Sequence, residues 1–159
     1  MYAVGREHPN REPARRFLGK TRNGKIDACT STEVLQEILY RYSSLGRLDL
    51  ARTVYDLFVD VCPVILGITL ADADRSRDLI CGGAKVSARD AFHAAVMINH
   101  GIEWIATFDS GFDRISGVKR AKLPWWCASG RVPIIEGSTT ASRTRLIGIL
   151  LDAPRHPPL

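Results

Sequence analysis

The sequence predicts an α/β protein, with helices on both faces of a central parallel sheet in three layers. Two observations carry that expectation. Short strand-like segments at residues 26–29, 64–66 and 104–108 alternate with longer segments whose apolar residues recur at helical spacing. Strands that alternate with helices build parallel sheets covered on both faces. The second observation is size and composition. At 159 residues, 45% hydrophobic and 25% charged, the chain is long enough to bury a core as one domain.

In chain order, a first helix is expected to start near His8-Pro9, with Pro9 in its first turn and Ala14, Phe17 and Leu18 on one face. The polar stretch 20–25 contains Asn23-Gly24, a turn signal. After the short strand at 26–29, Ser31 or Thr32 caps a helix carrying Val34, Leu35, Ile38, Leu39 and Tyr42. Gly46 ends it. Leu50, Val54, Leu57, Phe58 and Val61 line one side of the next helix, over residues 48–61. Val64-Ile65-Leu66 reads as a strand, and the Thr69-x-x-Asp72 spacing as a capped helix start. Beyond Gly82-Gly83, Ser87 caps a helix rich in Ala, and Trp104 to Phe108 form the last strand before Asp109.

No stretch is apolar over the roughly 20 residues that a bilayer span needs, and no secretory leader pattern opens the chain. Cys29, Cys62, Cys81 and Cys127 form no C-x-x-C pair, so they read as free buried thiols of a reducing cytoplasm. The net charge of +5 is unevenly spread. Residues 1–25 hold seven Lys/Arg against two acids and residues 114–159 eight against two, leaving seven basic and thirteen acidic residues between them. Basic flanks suit a polyanion and an acidic centre suits a cation, although an unevenly charged solvated surface reads the same way.

The acids of that centre are the candidate site. In a parallel sheet, ligands gather outside the carboxyl ends of the strands. Asp109 follows directly on a strand, and Asp90 opens a helix. Each also has a local explanation: Asp90 as the third helical residue after the Ser87 cap, Asp109 as a turn former. Glu37 lies beside core-like Val34, Ile38 and Tyr42, and Glu33 shares its side. Like charges at that spacing weaken a helix unless something positive lies between them. Converging carboxylates repel one another, and a hard divalent cation with oxygen ligands resolves the conflict. His93, one turn after Asp90, is a weaker ligand candidate. No G-x-S-x-G, P-loop or G-x-G-x-x-G pattern occurs. Trp125-Trp126 could stack on bases or pack a C-terminal segment.

Three blocks give the chain a family likeness: Ala88-Arg89-Asp90-Ala91-Phe92-His93-Ala94-Ala95, then His100-Gly101-Ile102, then Thr107-Phe108-Asp109-Ser110-Gly111-Phe112-Asp113. Together they resemble the PIN domain, and more narrowly the VapC-type toxins of toxin–antitoxin pairs. Thr30 to Glu37 resembles the family's second acidic region, and Ile115-Ser116-Gly117 with Val118-Lys119 its ending. The resemblance implies a parallel-sheet α/β/α fold and an Mg²⁺- or Mn²⁺-dependent endoribonuclease acting on RNA. It also implies a cognate antitoxin and a homodimer. Carried over by position, Glu37, Asp90 and Asp109 become the metal-site acids, with Asp113 the alternate to Asp109 and Glu33 to Glu37.

The likeness covers residues 1–120, expected as a PIN-like domain lacking its first strand and that strand's acid. Met1-Tyr2-Ala3 resembles the segment just after such a strand, so an in-frame, Asp-bearing segment upstream of Met1 is expected. Residues 121–159 have no counterpart and are expected to be a loose, dispensable extension, with a short helix at Leu146-Ile147-Gly148-Ile149-Leu150-Leu151. Loss of the first acid suggests the alternative of a non-catalytic interaction module. A metal-dependent phosphatase using the same acids is a third reading.

Overall fold

The computed structural model describes residues 7–121 and 146–148. The elements in chain order are α1 (Arg11–Arg22), β1 (Ala28–Ser31), α2 (Thr32–Ser44), α3 (Leu48–Val61), β2 (Val64–Leu66), α4 (Leu70–Cys81), α5 (Ala88–Asn99), β3 (Trp104–Ala106), a 3-10 turn (Ser110–Arg114), β4 (Lys119–Ala121) and β5 (Leu146–Gly148). Among the described residues the strands form one five-stranded sheet in the order β2-β1-β5-β3-β4. Every neighbouring pair is parallel. The architecture is the expected α/β/α one.

Burial matches the helical spacing. Ala14, Phe17 and Leu18 of α1 are buried, as are Val34, Leu35, Ile38 and Tyr42 of α2 and Val54, Phe58 and Val61 of α3. Leu39, expected on the inner face of α2, is 46% exposed. Pro9 precedes α1 instead of sitting in its first turn, and Asn10 takes the cap position without a side-chain bond. β1 starts two residues later than expected, because Cys29, Thr30 and Ser31 pair with Val64, Ile65 and Leu66. Its last residue, Ser31, is also the N-cap of α2, so strand and helix meet with no loop between them.

β5 departs most from expectation. The apolar run at 146 is a strand over Leu146–Gly148, and it lies in the middle of the sheet. Leu146 and Ile147 pair with Ala28 and Cys29 on one side, and Leu146 to Gly148 pair with Trp104 to Ala106 on the other. Residues 146–148 are therefore integral to the domain, contrary to the expectation of a loose extension. Residues 122–145 and 149–159, including Cys127 and the Trp125-Trp126 pair, lie outside the described residues.

Cys29 and Cys62 are buried, as expected, while Cys81 is exposed. Burial, with a smaller contribution from Cys29, pushes the Cys62 thiol up to about 12, so it stays protonated and packs as a small hydrophobe. No helix of the described residues is long and apolar enough to cross a membrane.

The expected cap of α4 forms in full. Thr69 accepts from the Asp72 backbone N–H at 3.3 Å, and Asp72 Oδ2 accepts from the Thr69 N–H at 2.9 Å and hydroxyl at 2.7 Å. Asn99 of α5 donates to Asp72 Oδ1 at 2.8 Å, tying the two helices together. Burial alone would push the Asp72 carboxyl up. The bonds from Thr69 and Asn99 outweigh it and hold the group below the usual carboxylate range. A depressed carboxylate stabilises the fold above its unfolded-state value and loses that contribution as pH falls through the folded one. Urea midpoints should therefore fall below about pH 4, and Asp72→Asn should flatten that acid slope. An unchanged slope in the variant would place the acid sensitivity elsewhere.

Candidate metal and nucleic-acid site

The site is built where strands of the parallel sheet give way to helices. α2 begins directly after the last residue of β1, and Glu37 lies in its second turn. Glu37 is only 6% exposed. Its Oε1 lies 2.9 Å from Nη1 of Arg89, and its Oε2 lies 3.3 Å from Nε2 of His93. Both partners come from α5, four residues apart and therefore on one face. Arg89, from a helix distant in sequence, thus supplies a positive charge to Glu37. Glu33 is half-buried.

His93 is fully buried, and its Nδ1 finds no hydrogen-bond partner. The contact with Glu37 is made through Nε2 alone. His93 is therefore a partner of Glu37 in this structure. The sequence offered it only as a possible metal ligand.

Asp90 has the local role that its position suggested. Its N–H donates to Ser87 Oγ at 3.1 Å, and the Ser87 hydroxyl donates to Asp90 Oδ2 at 2.7 Å. The carboxylate thus leans on the cap hydroxyl instead of the cap backbone N–H, and Oδ1 lies outside this cap. Asp90 is half-exposed and immediately follows Arg89, which holds Glu37.

β3 ends at Ala106, two residues sooner than expected. There Thr107 Oγ1 accepts from the Asp109 N–H at 3.1 Å and turns the chain. Asp109 Oδ1 then accepts from the Gly111 N–H at 2.7 Å and caps the 3-10 turn. Asp113 is gripped on both oxygens by Arg120, at 2.9 and 2.7 Å, which fastens the 3-10 turn to β4.

The structure thus gathers Glu37, Arg89, His93 and the start of α5. Asp109 stands at the exit of β3, and Asp113 is engaged with Arg120. Among the described residues no group of three or more His, Cys, Asp or Glu is placed to hold a metal ion. The donor chemistry nonetheless suits a hard cation, since the acids supply oxygen and no thiolate is among them. Thr30 Oγ1 and Ser31 Oγ, at the carboxyl end of β1, are buried without a hydrogen-bond partner. Such orphaned oxygens mark a polar spot that water or an ion would satisfy.

The PIN domain model matches residues 1–118. A VapC ribonuclease of Mycobacterium bovis and ribonuclease VapC13 of Mycobacterium tuberculosis are each 38% identical over 120 residues, covering 76% of this chain and 92% of the relative. Ribonuclease VapC23 of Mycobacterium tuberculosis is 38% identical over 112 residues, 69% of this chain and 86% of that protein. No solved structure is significantly similar to the chain.

Proposed function

Since the chain belongs to the PIN domain family, among its VapC ribonucleases, we propose that it is a divalent-cation-dependent endoribonuclease, the toxin of a toxin–antitoxin pair. The observation that supports this reading best is Glu37. A buried carboxylate in the second turn of α2 is held on both oxygens by the helix that carries Asp90 in its first turn.

In this proposal Glu37, Asp90 and Asp109 would hold Mg²⁺ or Mn²⁺, with Asp113 the alternate to Asp109 and Glu33 to Glu37. Bound there, the cation would polarise a phosphodiester and make its water a better nucleophile near neutral pH. The chain's own bonds prepare these acids: Arg89 and His93 fix the Glu37 carboxylate, Ser87 orients Asp90, and Gly111 orients Asp109. Side chains locked in this way lose little freedom when they take up a ligand. A cognate antitoxin, a homodimer and the cytoplasm complete the proposed setting.

The test is cleavage of single-stranded RNA with Mn²⁺ and with EDTA, beside a small phosphate monoester as control. Cleavage of RNA alone, and only with Mn²⁺, is the expected result. Release of phosphate from the monoester would favour a phosphatase. RNA binding without cleavage would favour a non-catalytic interaction module. Binding should also weaken steeply with added salt, because phosphate contacts release counterions. Affinity that ignores salt would contradict a polyanionic substrate.

A further inference from the structure

We propose that Tyr40 and Arg89 form a nucleotide-binding platform beside the candidate metal site. Tyr40 would stack on a base of single-stranded RNA, and Arg89 would take the adjoining phosphate. The proposal rests on the ribonuclease reading and assigns substrate contacts to two residues outside the acid set.

Tyr40 lies on α2 one turn beyond Glu37, and its side of the helix is open. The residue is 55% exposed, although it is a large aromatic in a chain that buries Phe17, Phe58 and Phe112. The Arg89 guanidinium lies 5.8 Å from the Tyr40 ring centroid, within range of a cation–π contact. The same guanidinium reaches Glu37 through Nη1, while its side chain remains 42% exposed. An arginine carries five N–H donors in a planar fork. One nitrogen engages Glu37, and the remainder of the fork is available to a phosphate oxygen, which it suits by charge and shape.

A ring and a guanidinium side by side are the elements of sequence-tolerant recognition of single strands: a π-face for a base and a cation for the backbone. Their position supplies the functional link. A phosphate on Arg89 would lie next to Glu37 and one residue from Asp90. A second cation over an aromatic shows the difference. Lys119 lies 5.8 Å from the Trp104 ring, but Trp104 is the first residue of β3, at the end of the strand away from Asp109. Lys119 is also paired with Glu103 at 2.7 Å. That contact closes on itself, whereas the Arg89 contact joins the acid site to an exposed aromatic.

Leu39 and Leu45 are exposed apolar residues of the same region, of a kind that a protein partner would cover. The cation beside the ring favours a nucleotide, and the experiment separates the two. Tyr40→Ala and Tyr40→Phe are compared with the unaltered chain by fluorescence anisotropy on a short labelled single-stranded RNA, in EDTA and in Ca²⁺. Thermal melting and light scattering accompany each variant. Tyr40→Ala should bind roughly 5- to 100-fold more weakly. Tyr40→Phe, which keeps the ring, should bind like the unaltered chain, with melting and molar mass unchanged in both.

Arg89→Lys keeps the charge and loses the fork, so it should weaken RNA binding while leaving the salt dependence close to that of the unaltered chain. Tyr40→Ala affinity within twofold of the unaltered chain would overturn the proposal while leaving the nuclease reading intact. A change in molar mass with unchanged RNA affinity would overturn it in favour of a protein interface. An unaltered chain that binds no RNA in either condition would remove the ribonuclease reading itself.

Discussion

Asp90→Asn is expected to leave a folded protein whose Mn²⁺-dependent RNA cleavage is reduced by about 100-fold or more, since loss of one proposed anionic ligand weakens both cation binding and charge stabilisation. The structure explains why the fold should survive. The Ser87 hydroxyl that donates to Asp90 Oδ2 can donate to an asparagine carbonyl instead, and the bond from the residue 90 backbone N–H to Ser87 Oγ does not involve the side chain. What disappears is the negative charge at the start of α5. As a helix-dipole effect at a half-exposed position it contributes about 0.3–1 kcal/mol, a loss of a few degrees in melting temperature. Mn²⁺ titration monitored by calorimetry reads the same substitution without relying on turnover. Undiminished Mn²⁺ affinity in Asp90→Asn would remove Asp90 from the metal site.

Glu37 should behave differently. Glu37→Gln removes the charge that compensates Arg89 and meets His93, so stability and activity should fall together. A partner left behind in a buried ion pair is costly, although the partial exposure of Arg89 limits that cost here. The contrast between the two acids comes from their surroundings, one in a half-exposed cap and the other in a buried pair.

The second large effect concerns β5. Ile147→Pro should lower the melting temperature by about 10 °C or more, from a loss of roughly 3 kcal/mol. Ile147 pairs with Cys29 on one side and Ile105 on the other, so it lies where both ladders run. Proline removes a ladder N–H and is confined to edges and bulges in natural sheets. Removing residues 143–159 should have a comparable effect. It would leave β1 and β3 each with an unpaired side, exposing backbone groups that favour association with other chains. A melting temperature within about 2 °C of the unaltered chain in both variants would show that the centre of the sheet does not depend on β5 in solution.

Much of the fold was legible because it is local. The inner faces of α1, α2 and α3 reflect a spacing that any helix imposes. The cap of α4 reflects a threonine and an aspartate at fixed distance in the chain. Strand limits were less legible because pairing sets them. β1 is displaced by its register with β2, and β3 is cut short where Thr107 turns the chain towards Asp109.

By itself, then, the sequence determined the α/β class, the order of helices and strands through β3, and which acids, Glu37, Asp90 and Asp109, are proposed for the site. The tertiary structure decided which partners those acids have. Arg89 and His93 meet Glu37 across more than fifty residues of chain, and no local pattern encodes such a pairing. It also decided the fate of the apolar run at 146. Six apolar residues fit a short helix or a buried strand equally well by periodicity. What distinguishes them is the environment: a position between β1 and β3 offers backbone partners on both sides, and a segment placed there satisfies its N–H and C=O groups only by extending.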